Sequence, residues 1–242
     1  MARFLTLIFL TLLYMSPAQA DYKKGLLAAQ KQDFKKAVAE FMIDAKQGHS
    51  GAEFSLGVFY QSGRGVKRNY KEAVNWYRKA AAKGHPSALN NLGTMYRRGH
   101  GVKRSDKEAV RLYTAAIKKS AAARTNLADM YLNGRGVKKD AVKAAELLAW
   151  ASEDGYVKAI YKLGGLYQKG IGVKKDMQEA IDLYKEAADQ DYGRAAYKLA
   201  SMYENGTGTE KNLTLAKDYY RLAADNGIRK AQRKLKKLDA LK

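Results

Sequence analysis

The sequence predicts an all-α fold, a right-handed α/α solenoid of about six helix-pair repeats closed by a C-terminal capping helix. Three observations carry this expectation. Gly63-Arg64-Gly65-Val66 returns as Gly99-His100-Gly101-Val102, Gly134-Arg135-Gly136-Val137, Gly170-Ile171-Gly172-Val173 and, altered, Gly206-Thr207-Gly208-Thr209, at spacings of 36, 35, 36 and 36 residues, the period of one supersecondary unit. Apolar residues recur at helical spacing on both sides of each glycine pair. Only two prolines interrupt the 242 residues.

Met1-Ala2-Arg3, the apolar run from Phe4 to Met15 and Ser16-Pro17-Ala18-Gln19-Ala20 combine a positive flank, a short apolar stretch and an Ala-x-Ala site, the pattern of a cleaved secretory signal. The run is shorter than the about 20 residues that span a bilayer. Residues 1–20 are therefore expected to be removed, making Asp21 the first residue. Residues 21–242 then form one solenoid with units of about 21–51, 52–87, 88–122, 123–158, 159–194 and 195–230 and a cap at 231–242. Without cysteine there is neither a disulfide nor an acyl anchor, so stability must come from stacking.

The formal charge is +21, and +20 once Arg3 is lost. Such a field favours encounter with acidic proteins, lipid head groups, anionic cell-wall polymers or nucleic acid, and it is screened beyond about 8 Å at physiological salt. It names the sign of a partner and no more. Lysine that simply keeps a long array soluble gives the same composition.

Tyr22 to Gln30 reads as a first helix, and the segment after Asp33, with Ala37, Phe41 and Ala45 on one face, as a second. These two make a degenerate first repeat. In every later unit a first helix ends at the glycine pair, as helices end at a C-terminal glycine. Asn69, Ser105, Asp140, Asp176 and Asn212 then stand where Asp33 stands, at the N-cap of a second helix. Glu72, Glu108 and Glu179 follow three residues later, which predicts capping boxes. The second helices repeat Ala73, Ala109, Ala144, Ala180 and Ala216, followed by Trp76-Tyr77, Leu112-Tyr113, Leu147-Leu148, Leu183-Tyr184 and Tyr219-Tyr220. Small residues let helix axes approach and large ones fill the groove beyond, so these are packing positions. The first helices repeat Ala52, Ala88, Ala123, Ala159 and Ala195, then Leu56-Gly57, Leu92-Gly93, Leu127-Ala128, Leu163-Gly164 and Leu199-Ala200, and each closes on a tyrosine from Tyr60 to Tyr203.

The pattern A-x-x-x-L-G-x-x-Y-x-x-G-x-G-V, then a capping residue, A-x-x-W-Y-x-x-A-A and G, resembles the Sel1-like repeat family, relatives of the tetratricopeptide repeat. The resemblance covers the chain from about Asp33 onward. It implies an α/α solenoid that binds other proteins and is often exported in bacteria, and it implies no catalytic residue. With the N-terminal signal it points to a periplasmic or secreted address.

Candidate chemistry is sparse. His49 and His85 share one repeat position and His100 sits inside a glycine loop, so repeat inheritance explains them, and no pair has the helical spacing of a zinc motif. The glycine loops follow helices and lack the Gly-Lys-Ser/Thr ending of a phosphate loop. There is no nucleophile elbow, and no carboxylate pair stands out. No enzyme activity, metal or cofactor is expected.

Binding surfaces are better marked. Once the packing positions are removed, each first helix keeps a stripe at i, i+4 and i+7 that varies from unit to unit: Phe54, Val58 and Gln61; Asn90, Thr94 and Arg97; Thr125, Asp129 and Leu132; Tyr161, Gly165 and Gln168; Tyr197, Ser201 and Glu204. Each trio shares one helical face, and stacking should align the trios on the concave side. Phe54, Tyr161 and Tyr197 are the candidate anchors, unless they pack between neighbouring first helices. A second surface is the basic ridge Lys67-Arg68, Lys103-Arg104, Lys138-Lys139 and Lys174-Lys175 behind each turn. A third is the C-terminal helix from Ile228, with its many lysines and arginines, which reads as a cap or a dock for an anionic surface. Nucleic acid is not the expected ligand, because aromatic residues are not interleaved with the basic pairs. The sequence thus reads as a non-catalytic exported scaffold recognising a partner protein with an acidic surface. Two other readings stay open. One is an immunity protein against a phospholipase effector of a type VI secretion system, as the resemblance implies; the other is a binder of lipopolysaccharide or peptidoglycan.

Overall fold

The computed structural model describes residues 17–240, with side chains from Tyr22 onward. Most of the expected signal segment lies outside the described residues. The described residues form helices only, and no helix among them is long and apolar enough to cross a membrane.

The chain divides into two compact units, one ending at Ala88 and one beginning at Leu89. The first contains α1 (Pro17–Gln30), α2 (Phe34–Lys46), α3 (Ser50–Ser62) and α4 (Tyr70–Ala82). The division falls in the first turn of helix α5 (Pro86–Arg98), and the second unit continues with α6 (Asp106–Ala116), α7 (Ala121–Asn133), α8 (Ala141–Glu153), α9 (Val157–Lys169), α10 (Met177–Asp189), α11 (Gly193–Asn205), α12 (Leu213–Asp225) and α13 (Arg229–Asp239). Helix α1 runs through Ala20, so cleavage there would trim its first turn. Within each unit consecutive helices pack as hairpins, and each second helix also packs on the first helix that follows it.

All six expected N-caps accept a backbone N–H from the first turn of the second helix: Asp33 from Lys36, Asn69 from Glu72, Ser105 from Glu108, Asp140 from Lys143, Asp176 from Glu179 and Asn212 from Leu215. The reciprocal half of the expected capping boxes meets a competitor. The N–H groups of Asn69, Ser105, Asp140, Asp176 and Asn212 are instead taken by the carbonyls of Tyr60, Tyr96, Tyr131, Tyr167 and Tyr203 at the ends of the preceding helices. A donor already used to close the turn is not available to a glutamate, and Glu108 pairs with Arg111 instead.

The two glycines of each turn have different tasks. Gly170 ends α9 in the left-handed region at φ 66°, and an added Cβ there would press on Lys175. Gly172, at φ 71°, lies so close to α8 that an added Cβ would overlap the carbonyl of Ala141. Gly65 and Gly136 lie in the same way on Phe34 and Asp106. The first glycine caps the helix, and the second lets one repeat's turn rest on the backbone of the repeat before it.

Alanines and tyrosines recur at the core positions of both units. Ala73, Ala109, Ala144, Ala180 and Ala216 are fully buried, as are Tyr77, Tyr113 and Tyr220. An added Cβ at Gly57 would lie 2.5 Å from the ring of Tyr77 and one at Gly93 2.7 Å from that of Tyr113, so glycine in the Leu-Gly pair leaves room for the ring of its own hairpin. Burying one such side chain contributes about 1.5–3 kcal/mol.

Two ion pairs brace the repeats at one register with reversed charge. Buried Glu53 binds Lys83 at 2.6 Å, whose ammonium also donates to the carbonyl of Gly48 at 2.6 Å. Buried Arg124 binds Asp154, donates to the carbonyl of Ile117 at 2.7 Å and stacks on Trp150 at 3.8 Å. In both cases the residue after the first-helix alanine holds the C-terminal end of the next second helix. Arg124 thereby ties down the short turn at Lys118 to Ser120, which has no glycine of its own.

Candidate functional site

Half of the striped face is organised by the buried tyrosines beneath it. The Tyr77 hydroxyl donates to Gln61 Oε1 at 2.6 Å, Tyr184 to Gln168 Oε1 at 3.2 Å and Tyr220 to Glu204 Oε2 at 2.5 Å, each across 16 residues. Thr94 Oγ1 meets the Tyr113 hydroxyl at 3.1 Å. Burial pushes the phenols of Tyr184 and Tyr220 well above their ordinary pKa, so they remain protonated donors. Gln61, Gln168 and Glu204 are therefore partly committed to the core.

The three aromatic candidates also rest on these tyrosines, 23 positions further on. Phe54 lies 6.0 Å from Tyr77, Tyr161 5.6 Å from Tyr184 and Tyr197 5.4 Å from Tyr220. Phe54 stacks on His85 at 4.8 Å, and Tyr161 meets Tyr192 at 5.2 Å. Each is half-buried. Burial first, then repulsion from Tyr192, raises the Tyr161 phenol pKa, and nearby Arg194 partly offsets this.

In the first unit, Phe54, Val58 and Gln61 of α3 are half-buried. The second unit gathers the next stripes into two adjoining pockets. A polar one of about 680 Å³ is lined by Asn90, Thr94, Arg97, Thr125 and Asp129 of the stripes, together with Arg98, Asn126, Tyr156, Lys158, Lys162, Tyr192 and Arg194. Thr125 shows only an edge, since it is 5 % exposed and its hydroxyl donates to the carbonyl of Ala121 at 2.9 Å. Asn126 Nδ2 donates to Asn90 Oδ1 at 2.7 Å, joining α7 to α5. The second pocket, about 420 Å³, is floored by Leu132, Tyr161, Gly165, Leu166, Ile171 and Tyr184 and edged by Gln168 and Lys139. Asp129 binds Lys162 at 2.6 Å, and Lys162 lines both pockets.

Tyr197, Ser201 and Glu204 on α11 face the end of the array instead. The Glu204 carboxylate accepts from Lys234 Nζ of α13 at 2.8 and 2.9 Å. Its pKa is lowered: burial acts to raise it, but the hydrogen bonds from Lys234 and Tyr220 outweigh that.

The basic ridge residues Lys67, Arg68, Lys103, Arg104, Lys138, Lys139, Lys174 and Lys175 are all exposed. Arg104 spends its charge on Asp106 at 3.0 Å, and Arg68 lies over the ring of Tyr70 at 5.6 Å.

Sequence reasoning missed several pocket residues. Tyr156 and Tyr192 occupy the N-cap position of the first helices, the one held by His49 and His85, whose Nδ1 atoms accept from Ala52 and Ala88 at 3.2 and 3.3 Å. Lys158 and Arg194 sit two residues further on, where other units have Gly51, Ser87 and Ala122. A column this variable at a 36-residue period was a visible signal.

The Sel1 repeat model matches residues 50–85, 86–120, 121–156, 157–192 and 193–228. Among solved structures, the chain is similar to c5321, described as a protective antigen present in uropathogenic Escherichia coli strains displaying an SLR fold, at 34 % identity and TM-score 0.78. That match covers 90 % of this chain and 48 % of the other, so the chain spans about half the length of that antigen. A Sel1 repeat protein from Oxalobacter formigenes matches at 30 % identity and TM-score 0.80, over 89 % of this chain and 86 % of the other. The immunity protein PA5088 of Pseudomonas aeruginosa matches at 28 % identity and TM-score 0.56, over 75 % and 66 %. A comparison with curated proteins returned no match.

Proposed function

Because this chain belongs to the Sel1 repeat family, we propose that it is a non-catalytic scaffold that binds a partner protein on the first-helix face of its repeats. The observation that carries this reading is the pair of adjoining pockets on α5, α7, α9 and α11. Their floors are held by repeat packing while their walls vary from unit to unit. Packing residues keep the shape, and variable residues supply recognition. The surplus of positive charge favours a partner with an acidic surface. The Ala18-Gln19-Ala20 site supports an address outside the cytoplasm, in the periplasm or beyond, as part of this reading.

A photo-reactive residue at Tyr161, introduced into the protein in its native cell, tests this. Tyr161 is half-buried and lines the second pocket, so a bound protein should be captured there and not from Lys174 on the basic ridge. Capture at neither position contradicts the reading.

The likeness to an immunity protein favours one specific form of it, in which the partner is a toxin held inactive. Co-expression that protects cells from one exported toxin, with a stoichiometric complex on purification, supports that form. Protection lost on groove substitution would tie it to the same face.

A further inference from the structure

Besides Lys162, four cations line the polar pocket of the second unit: Arg97 and Arg98 at the end of α5, Lys158 at the start of α9 and Arg194 at the start of α11. None of the four has an ion-pair partner among the described residues. Arg97 Nε is buried and has no hydrogen-bond acceptor. A donor nitrogen withdrawn from water without an acceptor is costly unless a ligand supplies one. The only carboxylate in the pocket, Asp129, is already taken by Lys162 at 2.6 Å. The pocket therefore has four cations beyond the one that its carboxylate pairs.

The neighbouring pocket is shaped for something else. Helix α9 carries two consecutive glycines, and they differ. Gly164 is packed, since an added Cβ would lie 3.0 Å from the Tyr184 ring, whereas at Gly165 the nearest atom is the Tyr184 hydroxyl at 3.6 Å. Packing does not require a glycine at 165. Glycine inside a helix costs about 1 kcal/mol relative to alanine, and here it opens a hollow between Leu132, Tyr161 and Ile171.

We propose that the second unit recognises an extended protein segment in which acidic residues adjoin one large apolar side chain. The carboxylates bind Arg97, Arg98, Lys158 and Arg194, and the apolar side chain enters the hollow over Gly165. This inference rests on the protein-binding reading and adds to it the chemistry of the bound segment. Planar guanidinium groups match carboxylates in bidentate geometry. Asn126 and Tyr192 offer polar side chains to the peptide backbone between them. Free phosphate shares the anion chemistry but has nothing to place in the hollow.

The test uses the purified protein and fluorescein-labelled synthetic peptides at physiological salt: a glutamate run next to phenylalanine, the same peptide with glutamine for glutamate, and the same with serine for phenylalanine. The first should bind at least about tenfold more tightly than either control. Arg97→Glu should weaken it by a similar factor. Gly165→Leu should weaken the phenylalanine peptide and leave the serine peptide unchanged, with no fall in melting temperature, because leucine favours helix over glycine. Equal binding of the phenylalanine and serine peptides, full displacement by tripolyphosphate, or indifference to Arg97→Glu would each overturn the inference. A partner cross-linked at Tyr161 whose yield is unchanged by Arg97→Glu and Gly165→Leu overturns it too, yet leaves the protein-binding reading standing. Absence of any cross-linked protein sinks that reading instead.

Discussion

The hydroxyl of Tyr220, fully buried in the last hairpin, donates to Glu204 Oε2 at 2.5 Å, and the same carboxylate holds Lys234 of α13. One side chain thus joins the core of a repeat to the helix that covers it. The equivalent Gln61 and Gln168 answer, among the described residues, the buried tyrosine alone.

Glu204→Gln keeps an acceptor for Tyr220 and loses the charge that holds Lys234, whereas Glu204→Ala loses both. Alanine should cost about 1–3 kcal/mol by denaturant unfolding, and glutamine less. The folded-state pKa of Glu204 is depressed. Its contribution is therefore present above the ordinary carboxyl value of 4.5 and is lost as pH falls through the lower folded value. In Glu204→Gln the acid limb of the stability profile should be shallower than in the unaltered protein.

His85 behaves in the opposite sense to a salt-bridged histidine. Its Nδ1 accepts the Ala88 N–H at 3.3 Å, which only the neutral ring can do. Burial, then repulsion from His49, holds its pKa below the ordinary 6.5. The unfolded chain takes up the proton first, so stability is complete above that value and declines as pH falls below it. His85→Asn retains a side-chain cap and does not titrate. Its melting temperature should change less between about pH 7 and pH 5 than that of the unaltered protein.

The turn glycines separate strain from collision. Gly155 and Gly172 have nearly equal φ of 72° and 71°, but a Cβ at Gly155 meets nothing within 4 Å while one at Gly172 overlaps the backbone of Ala141. Gly155→Ala should cost about 1–2 kcal/mol, the left-handed penalty alone. Gly172→Ala should cost clearly more, and chemical denaturation of the two variants measures the difference.

Arg124 is 3 % exposed and satisfies the carbonyls of Ile117 and Lys118 at a turn without glycine. Arg124→Met keeps most of the aliphatic stem but leaves those carbonyls unanswered, a loss of about 1–3 kcal/mol. Asp154→Asn, at a half-exposed partner, should cost less.

The helices, their caps and their packing columns were legible in the sequence, because each depends on residues close together in the chain and is repeated at a fixed period. Asn69, Ser105 and Asp176 were identifiable as caps for that reason. The fate of their own N–H groups was not, since the tyrosine carbonyls that take them lie across a turn whose path only the folded backbone defines. The striped positions were visible as variable columns, yet their partners were hidden. Nothing local reveals that Gln168 answers Tyr184, or that Asp129 is neutralised by Lys162 from the next repeat. Lys158 and Arg194 escaped notice because they begin helices and lie outside the i, i+4, i+7 stripe, and only stacking brings them to the same pocket as Arg97.

The central claim is that recognition belongs to the first-helix face and not to the exposed basic turns. Isothermal titration of the captured partner at physiological salt, against Arg97→Glu and Tyr161→Ala on one side and Lys138→Glu and Lys174→Glu on the other, addresses it most directly. The groove substitutions should each weaken binding by at least about tenfold, and the turn substitutions by no more than about threefold. The reverse order, with the turns dominant and the groove silent, would contradict the account.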